Sequence, residues 1–135
     1  MPNPEETLEK LRKAGMKQTP QRIEVVRTLL EIGEKHPSLN QLYQEAKKRI
    51  PTLSFSTLYT TIKKLEEQGL IRLFDLLGET RVEINTKPHI NIIDITTGEI
   101  RDYEDEELTK KIESITGRHR FILVNILVYP EEKHG

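Results

Sequence analysis

The sequence contains no cysteine and no long apolar run. Without thiols, the chain can form no disulfide, no thiolate nucleophile and no thiolate zinc site, so any bound metal must be held by nitrogen and oxygen. No apolar stretch approaches the roughly 18 residues that span a bilayer, and the segment MPNPEETLEK lacks the layout of a signal peptide. We therefore expect a cytoplasmic protein with no membrane association.

Sequence motifs of common enzyme classes are also missing. The chain has no nucleophile elbow, no phosphate-binding loop and no HExxH motif. Although a metal centre made of histidine and carboxylate ligands can support hydrolysis or oxidation, these absences favour a protein that is not an enzyme.

The charge is unevenly distributed along the 135 residues. The formal net charge is −1, but residues 1–72 carry 13 Lys and Arg against 9 Asp and Glu, whereas residues 73–135 carry 8 against 13. The first half therefore suits a polyanionic partner and the second half does not.

Residues 53–70 have the period of an amphipathic helix. Phe55, Leu58, Ile62 and Leu65 recur at spacings that place them on one stripe, which we expect to be buried. Hydroxyl residues precede this segment and a glycine follows its last apolar positions, so both helix ends are marked.

The opposite face of this helix carries short polar groups, one aromatic and two cations: Ser56, Tyr59, Thr60, Lys63 and Lys64. Short polar side chains let a helix lie deep in a DNA groove, an aromatic ring can contact a thymine methyl, and lysines reach phosphates. The face is typical of a DNA recognition helix, although an ordinary solvent-exposed helix has a similar composition.

Earlier patterns predict three more helices, and a later one predicts a hairpin. Thr19 and Pro20 begin the second helix, and Ser38 with Gln41 forms a capping box for the third. Segments 70–75 and 80–84 flank a turn containing Gly78 and read as a β-hairpin. The helices and the hairpin together predict a winged helix-turn-helix.

A turn-rich segment, residues 85–88, marks a hinge. Beyond it the patterns predict strands at 89–95 and 99–103, a helix at 105–115 with Leu108, Ile112 and Ile115 inward, and a strand at 121–129. So small a ββαβ unit is expected to cover its apolar strand in a homodimer. The predicted fold class is α+β: an N-terminal winged helix-turn-helix domain, residues 1–85, followed by a small ββαβ dimerisation domain, residues 86–135.

Short segments in a particular order carry a family resemblance. They are Gly15–Arg22, His36–Ser38, Ser56–Tyr59, Leu65–Ile71, Arg81–Glu83 and Gly98–Ile100. In order and spacing they resemble the ferric uptake regulator family of metal-responsive transcription regulators over nearly the whole chain. The resemblance implies a dimer that binds palindromic operator DNA and a regulatory divalent metal between the two domains.

The resemblance also implies which residues bind the metal: His36, Glu83, His89, Asn91 and Asp102. Asn91 stands where the family usually has histidine. Independently of the family, His89 and Asn91 are two apart on a predicted strand and share a face, and the five residues lie on both sides of the hinge, so that a shared cation would couple the domains. Two imidazoles with two carboxylates suit Fe(II), Mn(II), Zn(II), Co(II) or Ni(II), and spacing does not select among them.

The chain departs from the family pattern in ways that affect its metal chemistry. The two Cys-x-x-Cys pairs that hold a structural zinc in many members are absent, so no structural zinc bound by four cysteines is expected. An amide is a poorer metal ligand than imidazole, so Asn91 leaves open an alternative, a metal-independent winged-helix regulator with a vestigial site. Thr60 stands where many members have arginine.

The predicted function is a homodimeric, sequence-specific regulator of transcription that acts as a repressor. Its affinity for palindromic double-stranded DNA would be set by one divalent metal per subunit, with Fe(II), Mn(II) or Zn(II) as candidates. The residues expected to contact DNA are Lys17, Arg22, Ser56, Thr57, Tyr59, Thr60, Lys63 and Lys64.

Overall fold

A computed structural model describes residues 3–117, 119, 121 and 123–130, and the chain divides into two compact units after Thr86. The helices of the first unit are α1 (Pro4–Lys13), α2 (Pro20–Ile32), α3 (Leu39–Arg49) and α4 (Phe55–Glu67), with a short 3-10 turn at Gly33–Lys35. Its strands are β1 (Arg72–Leu76) and β2 (Glu79–Glu83). The second unit contains β3 (His89–Asp94), β4 (Ile100–Tyr103), α5 (Glu106–Ile115) and β5 (Leu123–Val128). The α+β fold class predicted from the sequence is confirmed.

The helices of the first unit begin where their capping residues predict. Ser38 accepts a hydrogen bond from the backbone N–H of Gln41 at 3.0 Å, and the Gln41 side chain accepts one from the backbone of Ser38 at 2.9 Å. This is the reciprocal capping box predicted from the sequence. Thr19 caps α2 and Ser54 caps α4, each by a hydroxyl that accepts a hydrogen bond from a backbone N–H of the first turn.

The core of the first unit lies between its helices and the hairpin. Leu58, Ile62 and Leu65 of α4 are fully buried, as predicted, against apolar side chains of α2 and α3. The prediction that Phe55 belongs to the same buried stripe is wrong, because Phe55 is the first residue of α4 and its side chain is 45% exposed. Thr61 is buried instead, its hydroxyl donating to the Thr57 carbonyl at 2.7 Å.

Strands β1 and β2 form the predicted hairpin and complete the winged helix-turn-helix, in which α3 and α4 are the motif. The last pair of the ladder joins Leu76 to Glu79, so Leu77 and Gly78 form a two-residue turn. Both turn residues have positive φ, 50° and 84°, which is the conformation of a type I′ turn. Glycine adopts it readily, whereas leucine does so under strain.

The second unit is a three-stranded sheet in the order β4, β3, β5. Strand β3 runs antiparallel to β4 and parallel to β5, which follows α5 along the chain. Ile90 and Ile93 of the central strand are buried. The predicted ββαβ order is confirmed, although position 122 of the predicted last strand lies outside the described residues.

Helix α5 buries its apolar side only partly. Leu108 and Ile112 are half-buried, but Ile115, which the sequence pattern places inward, is 83% exposed at the end of the helix. Neither α5 nor any other helix in the described part of the chain is long and apolar enough to cross a membrane.

The hairpin turn generates a stability prediction with opposite signs for two substitutions. Leu77 is 70% exposed, so replacing it removes little buried surface. We expect Leu77→Asn to raise the free energy of unfolding by about 0.5–1 kcal/mol, because asparagine tolerates positive φ. We expect Leu77→Val to lower it, because a β-branched residue is strained there. Urea unfolding of both variants measures the difference, and equal changes would contradict the turn assignment.

Candidate metal centre and nucleic-acid interface

His36 lies in the turn between α2 and α3. After the 3-10 turn, its backbone N–H donates to the Gly33 carbonyl at 3.0 Å, and His36 itself adopts a left-handed conformation with φ of 52°. Such a conformation is uncommon for a residue other than glycine and is found preferentially at functional sites. The chain then passes through Pro37 to the capping residue of α3, so the position of His36 is set by two helix ends.

The second strand of the hairpin is bonded directly to this turn. The backbone N–H of Val82 donates to the Pro37 carbonyl at 2.9 Å, and the Arg81 guanidinium donates to the His36 carbonyl at 3.2 Å. These bonds extend the hairpin by a short antiparallel bridge between Ser38 and Arg81. The next residue along β2 is therefore held beside the turn that carries His36.

That residue is Glu83, and its carboxylate meets the imidazole of His36. Nε2 of His36 lies 2.8 Å from Oε2 of Glu83, and the two side chains are only 3% and 2% exposed. The other carboxylate oxygen, Oε1, accepts a hydrogen bond from the backbone N–H of Asn85 at 2.9 Å. A buried carboxylate is costly unless it is paired and hydrogen-bonded, so this pair has the organisation of a functional site.

The second unit carries a second pair of histidine and carboxylate. His89 begins β3, and its Nδ1 lies 2.7 Å from the Lys87 carbonyl oxygen. Because a carbonyl only accepts hydrogen bonds, Nδ1 must carry a proton, and in the neutral imidazole the lone pair is then on Nε2. This Nε2 lies 3.9 Å from Oδ1 of Asp102 on β4. A backbone carbonyl that fixes the tautomer is the usual support for a metal-binding histidine.

Asn91 shares a sheet face with this pair. It is two residues from His89 on β3 and directly opposite Asp102 on β4. Its side chain is fully buried, and its amide nitrogen donates to Oδ1 of Asn125 on β5 at 3.3 Å. Asn125 was not among the residues predicted from the sequence, although a single amide within the apolar strand LVNILV is a visible signal.

The chemistry of these donors fits a divalent cation. His36, Glu83, His89 and Asp102 provide imidazole nitrogens and carboxylate oxygens, the ligand types that bind first-row divalent metals in proteins. Within each unit the structure brings one predicted histidine together with one predicted carboxylate.

The predicted DNA-contacting face of α4 is accessible at its N-terminal half. Ser56, Tyr59 and Thr60 are exposed, and the Tyr59 ring stacks on Phe55 with centroids 6.5 Å apart. Phe55 in turn meets Tyr43 of α3 edge to face at 5.4 Å. This aromatic cluster was not predicted from the sequence, because the helical period assigns Phe55 to the core.

The remaining residues predicted to contact DNA have partners within the first unit. Lys63 and Lys64 are half-buried and lie 2.7 Å and 3.9 Å from the carboxylates of Glu66 and Glu67. The hydrogen bond to Glu66 raises the pKa of Lys63, which therefore stays cationic.

Thr57, Lys17 and Arg22 are engaged near helix starts. The Thr57 hydroxyl accepts a hydrogen bond from the capping residue Ser54 at 2.9 Å. Arg22 donates to the carbonyl of Lys17 at 2.6 Å and so closes the turn before α2, while Lys17 itself is exposed. Of these three, Lys17 presents the most accessible charge.

A winged helix-turn-helix with an exposed polar and aromatic recognition helix, accompanied by histidine and carboxylate pairs, defines a DNA-binding regulator that responds to metal. The chain belongs to the Ferric uptake regulator family, whose sequence model matches residues 13–130. Its members are metal-responsive, DNA-binding transcription regulators.

The similarity of the chain to individual proteins supports its assignment to this family. The chain is 45% identical over 115 residues to the ferric uptake regulation protein homolog of Archaeoglobus fulgidus, covering 85% of this chain and 88% of that protein. It is 31% identical to a zinc-bound manganese uptake regulator of known structure, with a TM-score of 0.70 and coverage of 93% and 98%. It is 25% identical to the Helicobacter pylori ferric uptake regulator, described as having three functional metal-binding sites, with a TM-score of 0.80 and coverage of 99% and 97%.

Proposed function

We propose that the protein is a homodimeric transcriptional repressor whose affinity for a palindromic operator is set by one divalent metal per subunit. In this proposal residues 1–85 bind DNA and residues 86–135 form the dimer. The metal is bound jointly by His36 and Glu83 from the first unit and by His89, Asn91 and Asp102 from the second.

The observation that carries the proposal is the way in which neighbouring oxygen atoms position the imidazoles of His36 and His89. In the first unit a buried carboxylate lies 2.8 Å from the imidazole of His36, and in the second a backbone carbonyl fixes Nδ1 of His89 as a donor, so that Nε2 is the nitrogen that can bind a metal. Metal-binding histidines usually donate their other ring N–H to a carbonyl or a carboxylate, which fixes the tautomer and the orientation of the ring.

Metal control of DNA affinity follows from the location of the ligands on the two units. A cation that needs donors from both units binds tightly only to conformations in which all the donors meet. Metal binding therefore increases the population of those conformations. A dimer that reads two half-sites about 34–36 Å apart, one helical turn, needs its recognition helices at a matching separation. Metal binding therefore favours the arrangement that fits the operator.

The relatives support a first-row divalent metal. One similar protein is a zinc-bound manganese uptake regulator, and the relative from Archaeoglobus fulgidus is a ferric uptake regulation protein homolog. The nitrogen and oxygen donors of this chain suit Mn(II), Fe(II) or Zn(II). With no cysteine in the sequence, a structural zinc held by four cysteines cannot form.

The central experiment compares DNA binding by metal-free and metal-loaded protein. The purified chain is titrated onto duplex DNA from upstream of its own gene, after chelation and after addition of Mn(II), Fe(II) or Zn(II). We expect tight binding only with metal. Equal DNA affinity of the metal-free and metal-loaded protein would contradict control by metal but would remain consistent with DNA binding.

The buried carboxylate generates the first prediction that tests the proposed function. Glu83→Gln keeps the shape of the side chain but removes its charge, and we expect the affinity for Mn(II) to fall by roughly 100-fold, since losing even a residue that supports a ligand costs about 10–100-fold. Isothermal titration calorimetry measures the change. The control is Glu79→Gln on the same strand, whose side chain is 57% exposed; an equal loss in both variants would contradict a ligand role for Glu83.

The recognition helix generates the second prediction, which separates base readout from phosphate contact. Tyr59→Ala should weaken operator binding by about 1–3 kcal/mol while sparing unrelated DNA. Lys63→Gln should weaken both and reduce the salt dependence by about one counterion. Fluorescence anisotropy at several salt concentrations distinguishes the two patterns.

Lys110→Gln, an exposed lysine on α5, provides the control for Lys63→Gln. Because both substitutions remove one positive charge, a purely global charge effect would lower affinity equally. Such a result would argue against a phosphate contact by α4.

The exposed apolar residues of the second unit support the homodimer. Ile115, Ile126, Leu127 and Tyr129 are exposed in the single chain, at 83%, 41%, 50% and 75%, and β5 is an edge strand. A sheet of three strands with so much apolar surface needs a partner to cover it. A second copy of the chain supplies the same surface in return.

The third prediction tests this surface. Leu127→Asp should convert the dimer to a monomer, because it introduces a charge into an apolar interface. Sedimentation velocity gives the mass. Thr97→Asp, which adds the same charge at an exposed turn of the same unit, should leave the dimer intact; an unchanged mass for Leu127→Asp would exclude this surface.

The second candidate function is a metal-independent winged-helix regulator. It is favoured by one observation, the hydrogen bond from Asn91 to Asn125, which gives Asn91 a structural role in the sheet. Calorimetry showing no binding of Mn(II), Fe(II) or Zn(II) below millimolar concentration, together with operator binding by the same preparation, would establish this function in place of the first.

A further inference from the structure

We propose that Asn125 is a positioning residue that turns the carbonyl oxygen of Asn91 toward the metal, and that this oxygen donor raises the affinity for Mn(II) relative to Zn(II) above what a histidine at the same position would give. The inference rests on the proposed metal site and deepens it. The positioning residue and the ligand that it orients, Asn125 and Asn91, both lie in the second unit.

The sheet places these side chains in one row. Asp102 of β4, Asn91 of β3 and Asn125 of β5 are direct partners across the three strands. Paired residues project to the same face, and His89 joins them because it is two positions from Asn91. The remaining neighbours of Asn91 on this face along β3 and β5 are Ile93, Leu123 and Leu127. Polar groups are thus confined to the row and to His89.

The hydrogen bond to Asn125 gives the Asn91 amide a direction. An asparagine side chain has a donor end, which repels a cation, and an acceptor end, which can bind one. The amide nitrogen of Asn91 donates to Oδ1 of Asn125 at 3.3 Å, toward β5. Because nitrogen and oxygen branch from the same carbon, Oδ1 of Asn91 then points away from Asn125, and Asp102 is the partner of Asn91 on the other neighbouring strand.

This orientation would be poorly defined without Asn125. The Asn91 side chain is fully buried, and a buried amide adopts the orientation that satisfies its hydrogen bonds. With a leucine at position 125, the amide nitrogen would lose this acceptor and could exchange places with the oxygen. Asn125 therefore acts through Asn91 and touches no metal itself.

An oxygen at this position changes the metal preference of the site. With His36, Glu83, His89 and Asp102, the carbonyl of Asn91 gives two nitrogen donors and three residues with oxygen donors. Carboxylate and carbonyl oxygens favour Mn(II), whereas an additional imidazole would favour Zn(II) and the metals later in the series. Softness of the donors thus supplies selectivity that spacing alone does not.

The test measures metal affinity and ligand field in the full-length protein with four variants: Asn125→Leu, Asn125→Asp, Asn91→His and His89→Ala. Mn(II) and Zn(II) are titrated in competition with a chelator of known affinity. Co(II) is added separately, because its visible absorption reports the number and type of ligands. Circular dichroism checks that each variant is folded.

We expect Asn125→Leu to weaken Mn(II) binding by about 10–100-fold and to change the Co(II) spectrum, as the loss of a supporting hydrogen bond does. Asn125→Asp should keep the wild-type spectrum and the wild-type ratio of Mn(II) to Zn(II) affinity, because a carboxylate still accepts the hydrogen bond from Asn91. Asn91→His should shift the preference toward Zn(II) by about tenfold or more.

Two results would overturn the inference. If Asn125→Asp behaves like Asn125→Leu, the amide of Asn125 is acting as a donor, and Asn91 has the opposite orientation. If Asn91→His leaves the ratio of Mn(II) to Zn(II) affinity unchanged, Asn91 is not a ligand. This variant tests the inference even if Asn125→Leu fails to fold.

His89→Ala separates this inference from the proposed function. If the wild type binds metal and His89→Ala does not, the site stands, and the Asn91 and Asn125 variants alone decide the inference. If the wild type binds no metal, or if His89→Ala binds it as tightly as the wild type, the proposed site itself fails and the inference fails with it.

Discussion

The pairing between the turn at His36–Ser38 and strand β2 is the constraint on which the candidate site of the first unit depends. The Val82 N–H bonds to the Pro37 carbonyl, and the Arg81 guanidinium bonds to that of His36. The turn joins two helices and β2 belongs to the hairpin, so these bonds connect the helical part of the winged helix to its wing. The contact between His36 and Glu83 follows from them, because the carboxylate is carried to the imidazole by backbone geometry. A site held by backbone hydrogen bonds on regular elements is better defined than one on mobile loops.

In the second unit the candidate ligands are positioned by strand pairing within the sheet. Its polar residues are positioned by strand register, since Asp102, Asn91 and Asn125 are partners across the sheet. A shift of one residue would move each side chain to the other face. The apolar residues between them resist such a shift, because Ile90 and Ile93 are buried on opposite faces of the central strand. The sheet therefore fixes both which polar groups meet and which side they occupy.

Local signals in the sequence predicted most of the fold, whereas contacts between elements distant in sequence were not predicted. The capping box of Ser38 and Gln41 spans four residues and is visible in the sequence, as is the turn at Gly78. Phe55 was misassigned because periodicity cannot show that a first-turn residue has Tyr43 of α3 as its neighbour. Asn125 was missed because its partner depends on the register of a parallel pair 34 residues apart in sequence. The family resemblance pointed to His36 and Glu83. The 2.8 Å distance between His36 Nε2 and Glu83 Oε2 depends on the pairing of β2 with the distant turn and is not visible in the sequence.

The short connection between the units has a kinetic and entropic consequence. Strand β2 ends at Glu83 and β3 begins at His89, so one candidate ligand stands at each end of a tether of five residues. Six Cα steps reach at most about 20 Å, and a tether this short keeps the second donor at a local concentration of roughly millimolar or more. A cation captured by either end of the tether therefore meets the other end as an intramolecular event, at a rate independent of how much protein is present. In the proposed site, dilution of the regulator would slow assembly of its dimer but not completion of its metal centre.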